Sequence, residues 1–421
     1  MKFSIFLPAM LLLSVSVHGT DSLSIMQCRE AVLRNNPLQS KKGHADAISA
    51  LQHRNIATNS LPRIQLGAQA SWQSEVFGFP IENPVFNIPE VPKDQYKATI
   101  DISQRLWDGG SDRPQRRQRE LERDLAIAQV DADVFSLRET ATDLFFRALL
   151  LQESEAVQLA AQKDLETRLK QTEAAVAEGT ALRTAADQIR IQLLKTEQQI
   201  AATRADKQSA LLMLARWMGR DDTDVVLIVP DEGTLTPYAA MTRPEHAVFT
   251  LQQRSLQNNK EALTLRTHPR LDAFLQGGFG RPNPFNFFET GFEPFAMIGL
   301  RATWAPFDWG TRKREAQVID LQIKNIEAQR HFFDLKLDAT SVKDLEDRKK
   351  WQAQLAQDDA IVSLQADIVK RSEAQVNNGI MTMTDYLSQV NLLTQAQLAR
   401  KTHQLQALHA QEMWVAKWSN Q

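Results

Sequence analysis

Two segments of nearly seventy residues, about Ser111 to Glu178 and about Thr311 to Asn378, carry apolar residues every seven positions and contain no internal glycine. In the first, Val130, Leu137, Leu144 and Leu151 run beside Val134, Ala141 and Ala148; in the second, Leu321, Ala328, Leu335 and Val342 run beside Ile319, Ile326 and Phe333. Such stripes separated by charged residues predict long helices packed as coiled coils. At 1.5 Å per residue each would extend roughly 100 Å, several times the width of a compact domain. Only rods laid side by side can use helices of that length.

Each long helix stops at a glycine, Gly179 and Gly379, suited to a left-handed cap. A new start signal follows: Thr184 with Asp187 in the first, Thr382 with Asp385 in the second. The threonine is expected to cap the return helix, with the aspartate near its positive end. Each segment is also entered through a similar corner, Leu106-Trp107-Asp108-Gly109-Gly110 and Pro306-Phe307-Asp308-Trp309-Gly310. Corners and tips repeat at an offset of 200 residues. Upstream the offset is 207, between Asn36-Pro37-Leu38 and Arg243-Pro244-Glu245, and between Leu61-Pro62-Arg63-Ile64 and His268-Pro269-Arg270-Leu271. A period this long predicts one duplicated unit, not a solenoid repeat.

The expected organisation is a signal peptide over 1–19, a first repeat over 20–218, an inter-repeat linker over 219–243 and a second repeat over 244–421. The first repeat holds a helix, strands at about 64–72 and 96–107, the long helix 111–178 and a return helix 184–218. The second holds a helix, strands at about 270–279 and 296–307, the long helix 311–378 and a return helix 382–418. The signal reading rests on Lys2, the apolar run Ile5 to Val17, and the residues Val17-His18-Gly19 near a cleavage point.

The strand segments alternate. Ile64, Leu66, Ala68, Ala70 and Trp72 oppose Gln65, Gly67, Gln69 and Ser71. Ala98, Ile100, Ile102 and Leu106 oppose Thr99, Asp101, Ser103 and Arg105. Ile298, Leu300, Ala302 and Trp304 oppose Gly299, Arg301 and Thr303. Leu271 to Phe279 alternates less cleanly, because Phe274 falls on the polar side. Nine to eleven alternating residues fit a transmembrane β-strand with its polar side toward a wet lumen. They fit equally a soluble sandwich with one wet face. An export signal, and Trp72, Trp107, Trp304 and Trp309 at strand ends, favour the barrel. Four strands cannot close one, so several chains must share it.

Other classes of function find no support. A net charge of −2 argues against a nucleic-acid binder. A single cysteine, Cys28, excludes an intrachain disulfide, and without small residues before it Cys28 reads as a packed helix residue. No nucleophile, zinc or nucleotide motif occurs, so neither enzyme nor cofactor is expected. Gly277-Gly278-Phe279-Gly280 reads as a strand end, Met381 and Met383 as packing residues and not a soft-metal site, and Phe279 to Phe295 as a loop between strands.

The order and duplication of these motifs, from Ser24-Ile25-Met26-Gln27-Cys28-Arg29-Glu30-Ala31 through Asn35-Asn36-Pro37 to the last helix, resemble the TolC-like outer-membrane efflux protein family. The resemblance implies a mainly α fold with a membrane β-barrel portion: a homotrimer with a twelve-stranded barrel and a helical tunnel reaching into the periplasm. It implies an outer-membrane exit duct working with a periplasmic adaptor and an inner-membrane transporter. Alternatives are an outlet for one-step (type I) protein secretion and, in a different class, a soluble periplasmic coiled-coil scaffold or adaptor. Acidic residues after the second tip glycine ring the tunnel mouth in such proteins. Asp385 matches the first position and Ser388 stands at the second, so Gly379, Thr382, Asp385 and Ser388 are the expected mouth. Gly179, Thr184, Asp187 and Gly379 are the expected adaptor-docking tips, and Asp101, Arg105 and Arg301 the expected lumen-facing strand residues.

Overall fold

The computed structural model describes residues 21–76, 90–233, 243–286 and 289–418. The signal segment lies outside the described residues, as do parts of the linker and of the phenylalanine-rich stretch. The described chain is mostly helical with some sheet, and it divides into two units.

One unit comprises Ser40–Ala132 with Pro244–Phe333. It holds α2 (Ser40–Ala57), α5 (Pro244–Leu265), the first part of α3 (Asp112–Ala177) and of α6 (Thr311–Asn377), and a four-stranded antiparallel sheet. Its strands are β2 (Arg63–Trp72), β3 (Asp94–Trp107), β5 (Arg270–Arg281) and β6 (Glu293–Thr303), in spatial order β2-β3-β5-β6. The register puts like with like. Ile64, Ile102, Leu275 and Ile298 form one row across the sheet, and Leu66, Ile100, Gly277 and Ala296 the next. Among the described residues nothing covers this apolar face: Leu66 is 79% exposed and Ile298 81%.

The fourth strand differs from expectation. It begins at Glu293 and ends at Thr303, so Trp304 and Phe307 lie beyond it. Pro306 cannot donate to a ladder and biases Ala305 away from regular pairing. Trp304 instead donates its indole N–H to the Thr267 carbonyl at 2.9 Å. The glycine-rich run lies inside β5, and Phe279 and Phe295 are strand residues flanking the shorter loop. Phe274 falls on the polar face because Gly299 opposite leaves room; a Cβ there would lie 2.8 Å from its ring.

The other unit comprises residues 21–39, Asp133–Arg243 and Asp334 to the described C-terminal end. It holds β1 (Asp21–Leu23), α1 (Ile25–Arg34), the remainder of α3 and α6, α4 (Arg183–Met218), β4 (Val225–Leu227) and α7 (Met383–Trp418). β1 pairs in parallel with β4. Phe145, Leu149, Leu214 and Met218 are fully buried around Cys28 and Val32. Burial pushes the Cys28 thiol up to about 12, leaving it a packed residue. Charges buried beside this core are paired, as burial demands. Arg29 holds Glu412 at 2.9 Å and Lys417 holds Asp344 at 2.5 Å.

The α3 stripe is used within the chain: Val130, Val134, Ala141 and Ala148 are buried. On α6, Ile319 is buried, but Leu321, Leu335 and Val342 stay exposed. Among the described residues no helix is long and apolar enough to cross a membrane.

Candidate functional site

The hairpin tips form in the second unit. Val176 and Ala175 accept from the Gly179 and Thr180 N–H groups at 3.1 and 2.9 Å, and Val376 and Gln375 from those of Gly379 and Ile380 at 3.0 and 2.8 Å. Both glycines have positive φ, 76° and 70°, which a side chain would oppose.

The two restarts differ. At the second tip, the Asp385 N–H donates to Thr382 Oγ1 at 3.1 Å, and the Thr382 hydroxyl donates to Asp385 Oδ2 at 2.6 Å. At the first tip the residue before the helix is Leu182, with no side-chain cap, and Thr184 already lies inside α4. The expected Thr184 cap is therefore incorrect. Counted from the tip glycines, Leu182 and not Thr184 stands opposite Thr382, and a leucine has no oxygen to offer. Asp187 is one turn further in, 3.5 Å from Arg190.

The tips pack on each other through Leu165, Ile189, Met383, Tyr386 and Leu387, with Met381 against them. Met381 and Met383 are thus placed as packing residues. Beside this cluster lies a groove of about 510 Å³ lined by Thr184, Leu182, Gly379 and Thr382 among others. Asp385 is exposed outside it, and Ser388 lines a neighbouring groove with Gln192 and Asn391.

Arg168 went unread in the sequence. Its buried guanidinium donates to Glu373 at 3.1 Å and Asn377 at 2.8 Å, and lies 5.2 Å over the Tyr386 ring. Burial pushes the Tyr386 phenol up, while the Arg168 charge offsets part of the rise. The signal was an arginine with Thr172 at i, i+4 on the stripe that includes Leu165.

In the sheet unit, Asp101, Arg105 and Arg301 share the polar face. Asp101 accepts from Thr99 at 2.9 Å and from Gln276 at 2.5 Å. Arg105 lies 3.9 Å from Asp272, and Arg301 lies over the Phe274 ring at 5.0 Å.

The two corners have one construction. Asp108 accepts from the Gly110 and Asp112 N–H groups at 2.8 and 2.6 Å, and Asp308 from those of Gly310 and Arg312 at 3.0 and 2.9 Å. For Asp108, partial burial raises the carboxyl pKa, but the bonds from Asp112, Gly110 and Ser111 outweigh it and hold it below its ordinary value. For Asp308, the Arg312 N–H is the main cause of a similar depression. Trp309 holds φ 53°, a strained conformation for a large side chain, and is 92% exposed.

This assembly of long helical hairpins and a four-stranded sheet is TolC-like. Residues 32–220 match the family model of the outer membrane efflux protein. The family resemblance read from the sequence is borne out. No curated protein matches the chain in sequence. Among solved structures, VceC from Vibrio cholerae is 14% identical, with 94% of this chain and 95% of that chain covered and a TM-score of 0.64. The CmeC outer membrane channel of Campylobacter jejuni is 16% identical, with coverage of 94% and 85% and a TM-score of 0.65. The MtrE outer membrane channel of Neisseria gonorrhoeae, in its open state, is 16% identical, with coverage of 93% and 88% and a TM-score of 0.61. At these identities the likeness concerns the fold.

Proposed function

We propose that three copies of this chain form an outer-membrane duct that conducts substrates passively out of the cell. It would serve as the exit of a tripartite efflux pump, fed by an inner-membrane transporter through a periplasmic adaptor. One observation carries this reading. Among the described residues the sheet has two unpaired edges, β2 and β6, and an apolar face that nothing covers. Lipid tolerates no open edge, so strands from several chains must close a barrel. A soluble scaffold would have no use for Leu66, Ile298 and Leu300 in the open.

In this reading the two halves are one duplicated unit, with residues 219–243 as an equatorial linker. Asp101, Arg105 and Arg301 face the lumen. Gly379, Thr382, Asp385 and Ser388 surround the tunnel mouth. Gly179, Thr184, Asp187 and Gly379 lie on the tips that meet the adaptor. The chain needs no cofactor or resident metal and carries out no catalysis. MtrE and CmeC are outer membrane channels, in keeping with this role.

Arginine substitution tests the face assignment. Ile100→Arg and Leu300→Arg should each cost about 2–4 kcal/mol near the bilayer midplane and reduce folded oligomer in outer-membrane fractions. Thr99→Arg and Thr303→Arg should assemble normally. Equal yields from all four variants would refute the assignment, as would release of the native protein from envelopes by high salt.

A further inference from the structure

We infer that the polar face of the sheet carries a guanidinium band that binds polyvalent organic anions, cargo bearing two or more carboxylate or phosphate groups. This deepens the duct reading and rests on it. The band follows from register. Three successive rows on the polar face run through Arg63, Ser103, Phe274 and Gly299, then Arg105, Asp272 and Arg301, then Arg270 and Thr303. Rows two residues apart are about 7 Å apart and neighbouring strands about 5 Å, so four arginines share a patch roughly 15 Å across.

Only one carboxylate, Asp272, stands in those rows. It meets Arg105 at the long distance of 3.9 Å. Among the described residues, Arg63, Arg270 and Arg301 enter no ion pair. Arg63 donates to the Asn59 amide at 3.3 Å, and Arg301 rests on Phe274. In the row above, the Asp101 oxygens are already engaged by Thr99 and Gln276. Four positive charges therefore face one negative one, in a chain whose overall net charge is −2.

The exception to the strand alternation has a place in this arrangement. Phe274 sits on the polar face and gives Arg301 a flat surface to lie against. A cation–π contact restricts the guanidinium without using its N–H groups, which remain able to meet a carboxylate or phosphate through two parallel bonds. Rows about 7 Å apart suit an anion whose charged groups are similarly spaced, and a single charge would engage one row only. Rings of Arg or Lys are a general device for anion pores.

The test uses the purified full-length protein in planar bilayers, with inorganic tripolyphosphate as probe. Tripolyphosphate should block the current reversibly, with block weakening as KCl is raised, because salt screens the charges. In the triple variant Arg63→Gln, Arg105→Gln, Arg301→Gln, the half-blocking concentration should rise about tenfold or more, the loss of one or more charge-assisted bonds. The corresponding triple lysine variant keeps the charges but not the planar fork, so its half-blocking concentration should lie between the native and the glutamine values. Single Arg301→Gln should weaken block measurably, which keeps the test decisive if the triple glutamine variant fails to assemble. Channels that tripolyphosphate does not block, or block unchanged in the glutamine variants, would overturn the band as a binding site. Absence of any conductance from the native protein would instead overturn the duct reading beneath it.

Discussion

Thr382 and Asp385 hold each other across the first turn of α7, and that reciprocal pair raises a question of role. A capping aspartate near a helix start stabilises by a fraction of a kcal/mol through the dipole. Asparagine can replace it there with little loss. An aspartate in a three-fold ring at a pore mouth does something asparagine cannot, because three carboxylates attract cations. Asp385→Asn should therefore weaken block of single-channel current by multivalent cations applied to the tip side, while leaving folding intact. Thr382→Ala is the control: it removes the cap but keeps the charge, so stability should fall by about 1 kcal/mol with cation block retained. If Asp385→Asn channels are blocked as the native ones are, only the helix-start role survives. At this scale the sequence was legible where spacing alone decides, as at Gly179 and Gly379. It misled where two residues of phase decide: Thr184 and Asp187 have the spacing of a cap but begin two positions too late. Arg168 was hidden, because a buried arginine on an apolar stripe looks like a solvated one until its partners on α6 and α7 are in place.

Elements turn at the corners. Asp108 and Asp308 each accept the N–H groups of the residues two and four positions on, tying the strand's end to the start of a helix of 66 or 67 residues. Asp108→Ala should cost about 1 kcal/mol, the usual worth of such a cap, with Asp308→Ala acting in the same direction. Both carboxyls are held below their ordinary value of 3.8 in the folded chain. Their stabilisation is thus complete above that value and is lost as pH falls through the lower, folded value. Thermal unfolding followed by circular dichroism should show the Asp108→Ala difference at pH 7 shrinking below about pH 4. A difference that grows on acidification would contradict the bonding described. The corners were readable because Asp-x-Gly after alternating residues carries its own chemistry. The end of β6 was not: alternation continues through Trp304, while the proline two residues further on removes the ladder. Phe274 likewise broke the pattern for a reason that lies on another strand, at Gly299, and single-strand reading has no access to it.

For the whole molecule, the decisive contrast lies between the two long helices. The α3 stripe is buried in the chain's own core, whereas α6 leaves Leu321, Leu335 and Val342 exposed at heptad spacing. A repeat of that kind, unsatisfied within one chain, calls for a helix from another. The sheet makes the same demand, since four strands leave two edges open. Two chains would supply eight strands and three would supply twelve, and both numbers can close. The family resemblance selects three. Native mass measurement in mild detergent should accordingly give three chains per particle. Leu335→Lys, which places a charge in the expected inter-chain seam, should shift particles toward single chains and lower the thermal midpoint of the assembly. Its cost follows from burial of a leucine side chain, about 1.5–3 kcal/mol per copy, with the charge adding to it. Leu335 is 65% exposed in the single chain, so the same substitution should leave an isolated chain's helix content unchanged. That pairing of readouts separates loss of assembly from loss of folding. A native particle of one chain, unaffected by Leu335→Lys, would exclude both the seam and the shared barrel, because neither the exposed stripe nor the open sheet edges would then have a partner.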